Sequence, residues 1–356
     1  MPNPPEESPG AATITGVAAA AGVSRQTVSN VLNAPHRVRP QTRERVEAAI
    51  RDLGYQPNRS ARSLRTSASR MLGYCVLRGG DGNVVHTRFL HALTDAAAER
   101  GYHLVLFTAP TGEAGLPVYD DLLAQRTVDG FVLTDTFKGD VRQKWLADRE
   151  VPFAAFGRSW DEPEHGDWVD VDGSSGVYDA VAHLHALGHG RIAFAGWERG
   201  SGVGDDRRAG WARAAADIGL GEQPSVEAPG TVHGGADAAR RLLDLPAPPT
   251  ALVCANDHMA IGALGVLAER GLRPGRDIAV AGFDDIPAAS LPGIDLTTVS
   301  QPLDEIGRTV VRLVLDRLDS ESASRPVDAS PRQILLRPSL VARSSSAPTP
   351  QEEEER

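Results

Sequence analysis

Lysine is nearly absent from this chain: of its 37 basic residues only Lys138 and Lys144 are not arginine. Cysteine is equally scarce. Cys75 and Cys254 sit singly inside the apolar runs GYCVL and LVCAN, with no CxxC spacing and no neighbouring histidine. That excludes a disulfide framework, a dithiol redox pair and a cysteine-bound metal, and leaves two reduced core residues. No apolar run approaches the roughly 20 residues that span a bilayer, and the first ten residues (MPNPPEESPG) lack the basic and apolar parts of a secretory signal. A cytoplasmic protein with no membrane partner is expected. Signatures of catalysis are missing too. The glycines of GWERGSGVGDD (Gly196, Gly200, Gly202, Gly204) do not fit GxGxxG at the opening of a helix, and there is no GxxxxGK[ST]. Neither a recognised Ser/His/Asp motif nor a metal-ligand cluster occurs, so neither cofactor nor metal is expected; because doubly wound sheets also serve dehydrogenases and kinases, an enzyme, here a sugar-processing one, is the remote alternative.

What is present begins with an uneven charge. The net charge of −10 would argue against nucleic acid if it were spread evenly. Residues 11–69 instead hold nine arginines against Glu44, Glu47 and Asp52, a balance of +6, and residues 70–356 carry −14. A basic module on an acidic body concentrates phosphate attraction in one place while the remainder repels DNA. At 356 residues the chain also exceeds what one core usually supports.

The basic module reads as three short helices. Apolar residues recur at helical spacing in Ile14/Val17/Ala18/Ala21, Val28/Val31/Leu32 and Val46/Ala49/Ile50/Leu53. Between the first two lies AGVS, where Gly22 supplies a tight turn and Ser24 an N-cap for a helix running SRQTVSNVL. This is a helix-turn-helix pattern. Its second helix would present Arg25, Gln26 and Asn30 to base edges in the major groove, because Arg pairs bidentately with guanine and Gln or Asn with adenine. Phosphate contacts are expected from Thr15, Ser24, Thr27, Ser29, Asn33 and Arg37. From Met71 onward, β-rich runs (LGYCVL, HLVLF, GFVLT, VPFAAF, WVDV, RIAFAG, TALVCA, DIAVAGF, TTV, QILL) alternate with helical segments, the pattern of parallel sheets with right-handed crossovers.

These residues carry a resemblance. The segment TITGVAAAAGVSRQTVSNVLN, the following VRPQTRERVEAAIRDLGYQPNRSARSLR, and then HLHALGHGRIAFAG, DDRRAGW, ALVCANDHMAIGAL, DIAVAGFDD and LTTVSQP resemble the LacI/GalR (lac repressor) family of transcriptional regulators over about residues 13–343. Two positions depart from the family pattern: Gly16 replaces an acidic residue, and Arg39 stands where a serine often caps the third helix. The resemblance implies an all-α helix-turn-helix head plus an α/β periplasmic-binding-protein-like core of two doubly wound parallel-sheet subdomains. The expected boundaries are a disordered tail at 1–10, the head at 11–57, a hinge helix and linker at 58–69, and the core at 70–343. Within the core, one subdomain takes about 70–168 plus 299–326 and the other about 169–298 plus 327–343. Residues 344–356 are expected to be disordered.

The resemblance further implies double-stranded operator DNA as partner, a homodimer, and a small-molecule effector, a sugar or oligosaccharide, clamped between subdomains and acting as inducer. A corepressor-type regulator that binds a nucleobase or another metabolite is the alternative. Effector contacts carried over are Phe89 and Arg158 from the first subdomain, Arg207, Asn256 and Asp284 from the second, Gln301 at a crossover, and Trp168 and Trp197 as stacking platforms. Asp172 is read instead as a helix N-cap. The tail after Arg343 has no leucine heptad, so no tetramer-forming bundle is expected. Asn58, Ala61 and Leu64 match the hinge, in which a leucine wedges between base pairs of the minor groove. Eight residues, Asn58 to Arg65, fall short of the roughly 12–15 an isolated helix needs, so this helix should form only with DNA and a partner hinge. Replacing Leu64 with Ser is expected to weaken operator affinity more than about tenfold in a gel-shift titration while leaving non-specific DNA affinity nearly unchanged. Equal losses on both DNAs would contradict the wedge.

Overall fold

The computed structural model describes residues 13–55, 68–76, 84–160, 165–322 and 330–347. The chain divides into two compact units, Met1–Ser69 and Arg70–Arg356. The hinge residues Asn58, Ala61 and Leu64 lie outside the described residues, as does the 1–10 tail.

The first unit contains α1 (Ile14–Ala21), α2 (Arg25–Asn33) and α3 (Pro40–Asp52) around a small core of Val17, Ala18, Ala21, Val28, Val31, Val46 and Ala49. Each helix starts for a local reason. Thr13 Oγ1 accepts from Gly16 N–H at 3.1 Å to cap α1, and Ser24 Oγ accepts from Thr27 N–H at 3.1 Å to cap α2. Gly22 closes α1 in the left-handed conformation (φ 63°), the turn expected of it. Arg39 precedes α3 without any side-chain cap, and the helix starts instead on the preset φ of Pro40.

The second unit is built on two six-stranded sheets. The first holds β1 (Met71–Cys75), β2 (His103–Phe107), β3 (Gly130–Leu133), β4 (Phe153–Phe156), β5 (Asp167–Val171) and β11 (Gln333–Leu336). Their order is β11-β5-β4-β3-β1-β2, with every pair parallel. The second holds β6 (Ile192–Gly196), β7 (Ser225–Glu227), β8 (Ala251–Cys254), β9 (Ala279–Asp284), β10 (Thr297–Ser300) and β12 (Ser339–Val341), ordered β12-β10-β9-β8-β6-β7. Only β12 runs antiparallel to its neighbour. The crossovers of the first sheet are α4 (Val84–Glu99), α5 (Leu116–Ala124) and α6 (Val141–Ala147), while α11 (Leu303–Ser322) packs on α4, β4 and β5. Those of the second are α7 (Gly173–Ala186), α8 (Val203–Ile218), α9 (Val232–Leu243) and α10 (Asp257–Glu269). The near-continuous burial of β3, β5, β6, β8 and β9 follows from helices covering both faces.

The subdomain boundaries differ from expectation at two of three crossings. The chain leaves the first sheet after β5, at Asp172, not before Val169, because β5 pairs with β4 and β11. It returns near Gln301, after β10. The last crossing falls between Leu336 and Ser339, not near 327, since β11 belongs to the first sheet. The buried carboxylate of Asp167 at the start of β5 holds both Arg317 of α11 (2.6 Å) and Arg332 ahead of β11 (2.7 Å), which fixes both elements to that sheet. The disordered tail is also corrected at its beginning. Ser345 and Ser346 are fully buried: Ser345 Oγ accepts from Thr297 N–H and donates to Val280 O, and Ser346 Oγ meets His183 Nε2 and Thr297 Oγ1. Among the described residues no helix is long and apolar enough to cross a membrane.

Giving α3 the cap it lacks should stabilise the head. Arg39→Ser is expected to raise its unfolding free energy by roughly 0.5–1 kcal/mol, measured by urea denaturation of the full chain; a decrease would contradict the capping argument.

Candidate functional site

On the head, α2 carries a polar outer edge that starts at its own N-terminus. Arg25 and Gln26 are exposed, and Gln26 Nε2 donates to Asn30 Oδ1 at 3.0 Å, which joins two of the expected base-reading amides on one helical face. Ser24 Oγ and Thr27 Oγ1 lie 2.9 Å apart, so two expected phosphate-binding hydroxyls share one hydrogen bond at the helix start. Thr15, in the first turn of α1, and Arg37, in the 3-10 turn Pro35–Arg37, are exposed; Ser29 is half-buried. Asn33 ends α2. No acidic residue occupies the first turn of α1, α2 or α3, where unpaired backbone N–H groups attract anions.

In the body, a cavity of about 730 Å³ opens between the carboxyl ends of the two sets of strands, where open α/β sheets place their ligands. Its walls come from the segments that follow β3 (Asp135, Thr136), β4 (Gly157, Arg158, Trp160), β5 (Gly173), β6 (Trp197, Ser201), β8 (Asn256) and β10 (Gln301), together with the last residue of β9 (Asp284). Its volume suits a drug-sized ligand.

Each carboxylate of the cleft meets a basic side chain. Arg207, on α8, sends Nη2 to Asp284 Oδ1 at 3.3 Å and Nη1 to the Ala255 carbonyl. Its guanidinium also lies 3.7 Å from the Phe283 ring centroid and 5.3 Å from that of Trp197. Gln301 Nε2 donates to the same Asp284 oxygen at 2.7 Å. Burial pushes the Asp284 carboxyl above the ordinary carboxylate range, and Arg207 and Gln301 pull against that rise. On the facing wall Arg158 Nε meets Asp170 at 2.7 Å, and its Nη2 reaches Asp206 of α8 at 3.5 Å, an ion pair that joins the two subdomains. Asp206 also accepts from Ser174 N–H near the start of α7, and burial raises its pKa. His86 of α4 meets Asp135 at 2.7 Å. Buried without protein partners in this region are Trp160 Nε1, Trp197 Nε1 and Arg207 Nε.

Six of the eight expected effector residues therefore meet here: Arg158, Trp197, Arg207, Asn256, Asp284 and Gln301. Asn256 does so with its amide committed, since Oδ1 caps α10 through Met259 N–H (2.9 Å) and Nδ2 donates to Gly230 O (2.9 Å). Asp172 caps α7 through Ser175 N–H, as read from the sequence. Two expectations are corrected. Phe89 is fully buried in α4, 4.9 Å from Phe156 between ring centroids; the helix faces the cleft one turn earlier, at Val85 and His86. Trp168 lies near the amino end of β5, the wrong end for the cleft, in a core with Cys75, Phe131 and Leu133. Trp160 was missed although it follows a strand run directly; its ring lies over Gly202 of the opposite subdomain and 4.7 Å from the Arg158 guanidinium.

Comparison with known proteins agrees with this architecture. Residues 13–58 match the model of the bacterial regulatory proteins of the lacI family, and residues 181–346 match a periplasmic binding protein-like domain. The HTH-type transcriptional regulator CelR of Thermobifida fusca is 33% identical over 94% of this chain and 98% of its own length. The chain belongs to the lacI family of bacterial regulatory proteins. The HTH-type transcriptional regulator AglR of Rhizobium meliloti (strain 1021) is 32% identical over 92% of both chains. Among solved structures, a lac repressor dimer bound to operator and the anti-inducer ONPF superimposes with a TM-score of 0.78 at 32% identity, over 95% of this chain and 99% of the other. A CelR–cellobiose complex gives 0.69 at 31%, over 94% and 99%. As a lacI-family transcriptional regulator the protein binds DNA through the head, and α2 is the second helix of its helix-turn-helix.

The charge pairing in this regulator's cleft can be tested by removing one partner. Arg207→Met leaves Asp284 buried without its cation and should cost about 3–5 kcal/mol of stability. Adding Asp284→Asn should restore most of that loss in a double-mutant cycle read by chemical denaturation. Additive losses would contradict the pairing.

Proposed function

We propose that this regulator is a homodimeric repressor whose hold on a palindromic operator is released by a neutral carbohydrate bound in the cleft. The observation that carries the reading is the cleft's lining: the aromatic residues Phe156, Trp160, Trp197 and Phe283 stand beside carboxylate, guanidinium and amide groups already fixed by one another. Aromatic rings cover the apolar side of a pyranose, and prepositioned charged groups fork onto its hydroxyls.

The charge balance argues for a neutral ligand. Arg158 and Arg207 each already hold a carboxylate, and Asp135, Asp170, Asp206 and Asp284 outnumber them. His86 is engaged by Asp135, which leaves His233 and His258 as the other titratable lining groups. A sugar phosphate would meet more negative than positive charge. The cellobiose bound by CelR supports a disaccharide-sized ligand.

On DNA, Arg25, Gln26 and Asn30 read bases in the major groove, and Thr15, Ser24, Thr27, Ser29, Asn33 and Arg37 hold phosphates. Two heads occupy successive major grooves while paired hinges, with Leu64 as wedge, kink the centre. The operator-bound lac repressor dimer supports this arrangement. Sugar binding changes how the subdomains meet and so the stability of the hinge helices.

A thermal-shift panel tests the ligand class. Cellobiose or another neutral glucoside, at 100 times its Kd, should stabilise the body by about 2.7 kcal/mol, whereas glucose 6-phosphate and nucleobases should leave it unchanged. Stabilisation by a sugar phosphate or a nucleobase instead would overturn the carbohydrate reading.

A further inference from the structure

Behind the cleft, and not among its lining residues, lies a buried carboxylate that the binding site does not use. Asp257 opens α10 and is fully buried. Its Oδ2 accepts from Ile286 N–H at 2.9 Å, and its Oδ1 accepts from Thr298 Oγ1–H at 2.5 Å. Thr298 Oγ1 in turn accepts from Asp285 N–H at 3.3 Å. The carboxylate therefore holds both backbone N–H groups that follow Asp284, one directly and one through a hydroxyl.

That stretch needs holding. Asp284 and Asp285 both have positive φ, 116° and 51°, conformations that side-chain-bearing residues adopt only where their surroundings impose them. The turn points the Asp284 carboxylate at Arg207 and Gln301 in the cleft. At Gly282, two residues earlier in β9, any side chain would overlap Asp257 Oδ1, so the glycine leaves room for the carboxylate to reach the turn. Asp285 is gripped from two other directions, by Arg343 on its carboxylate (2.7 Å) and by Arg88 of α4 on its carbonyl (3.1 Å).

We infer that Asp257 is a positioning residue for the effector site: its carboxylate clamps the backbone after Asp284 and fixes the direction of the carboxylate that meets the ligand. The clamp rests on the proposed carbohydrate reading only for what the ligand is; the hydrogen bonds stand without it. Burial and the neighbouring Asp284 push the Asp257 carboxyl up to about 7. The groups facing it are Asp284, Asp285 and the Cys254 thiol, itself pushed up to about 12 by burial; the nearby cations Arg207 and Arg343 are taken by Asp284 and Asp285. Because the folded state binds this proton more tightly than the unfolded chain, its stabilising contribution is present at low pH and fades as pH rises through about 7.

Hydrogen exchange on the full-length protein tests the clamp without any ligand. In Asp257→Ala the amides of Asp285 and Ile286 should exchange at least about tenfold faster than in the wild type. Asp257→Asn can still accept from Ile286 and donate to Thr298, so it should keep both amides protected. Thr298→Val should release Asp285 alone. Relative to Asp257→Asn, the wild type should lose melting temperature between pH 5 and pH 8, which a purely packing role would not produce. Unchanged protection in the Ala variant, or equal loss in Ala and Asn, would overturn the proposal. With cellobiose as probe, the Ala variant should bind about tenfold more weakly and the Asn variant nearly as well as wild type. A wild type that ignores cellobiose would count against the carbohydrate reading, and the exchange rates alone would then decide the clamp.

Discussion

Carboxylates gathered in the cleft, Asp170 and Asp284 buried and Asp135 and Asp206 half-buried, are the constraint around which the body is arranged. An ionised carboxylate removed from water costs several kcal/mol unless a cation and hydrogen-bond donors meet it. Asp284 has Arg207 and Gln301, Asp170 and Asp206 share Arg158, and Asp135 has His86. Each pairing draws on a different strand end or helix start, so neutralising the site requires both sheets to deliver their carboxyl ends to one place. Topology and electrostatics therefore impose the same geometry, and the Arg158–Asp206 pair makes the meeting of the two subdomains part of the site.

That arrangement explains how a static pocket can serve a regulator. A ligand whose hydroxyls compete for Asp206 or Arg158 alters an interaction between subdomains, not merely one within a wall. The strained backbone at Asp284 and Asp285 lies at the same junction, with Arg88 reaching it from α4 and Asp257 holding it from α10. Asp284 and Asp285 thus touch elements on both sides of that junction.

Much of this could be read from the residues in order. The three head helices, the turn at Gly22 and the caps at Ser24 and Asp172 announce themselves through local spacing, because each depends on neighbours within four positions. Ten strands were legible as apolar runs; β7 and β12 were not, since three-residue edge strands offer no pattern. Which sheet β5 and β11 join was hidden for another reason: a buried parallel strand has the same composition in either sheet, and the decision rests on long-range pairing and on Asp167. Phe89 and Trp168 were misplaced because an aromatic near a motif reads alike whether it faces core or cleft. Asp257 and Asp206 sat inside recognised motifs, yet their partners lie 29 and 48 residues away or across the cleft, beyond any spacing rule.

In the proposed function a neutral sugar in the cleft and operator DNA on the head compete through one molecule. Linkage makes this a single quantity: the factor by which the sugar weakens operator binding must equal the factor by which operator weakens sugar binding. Titrating a palindromic duplex selected on this protein, with and without saturating glucoside, and then the glucoside with and without duplex, measures both. Equal factors well above one are expected; an operator affinity unmoved by a sugar that demonstrably fills the cleft would show that the two sites are not coupled.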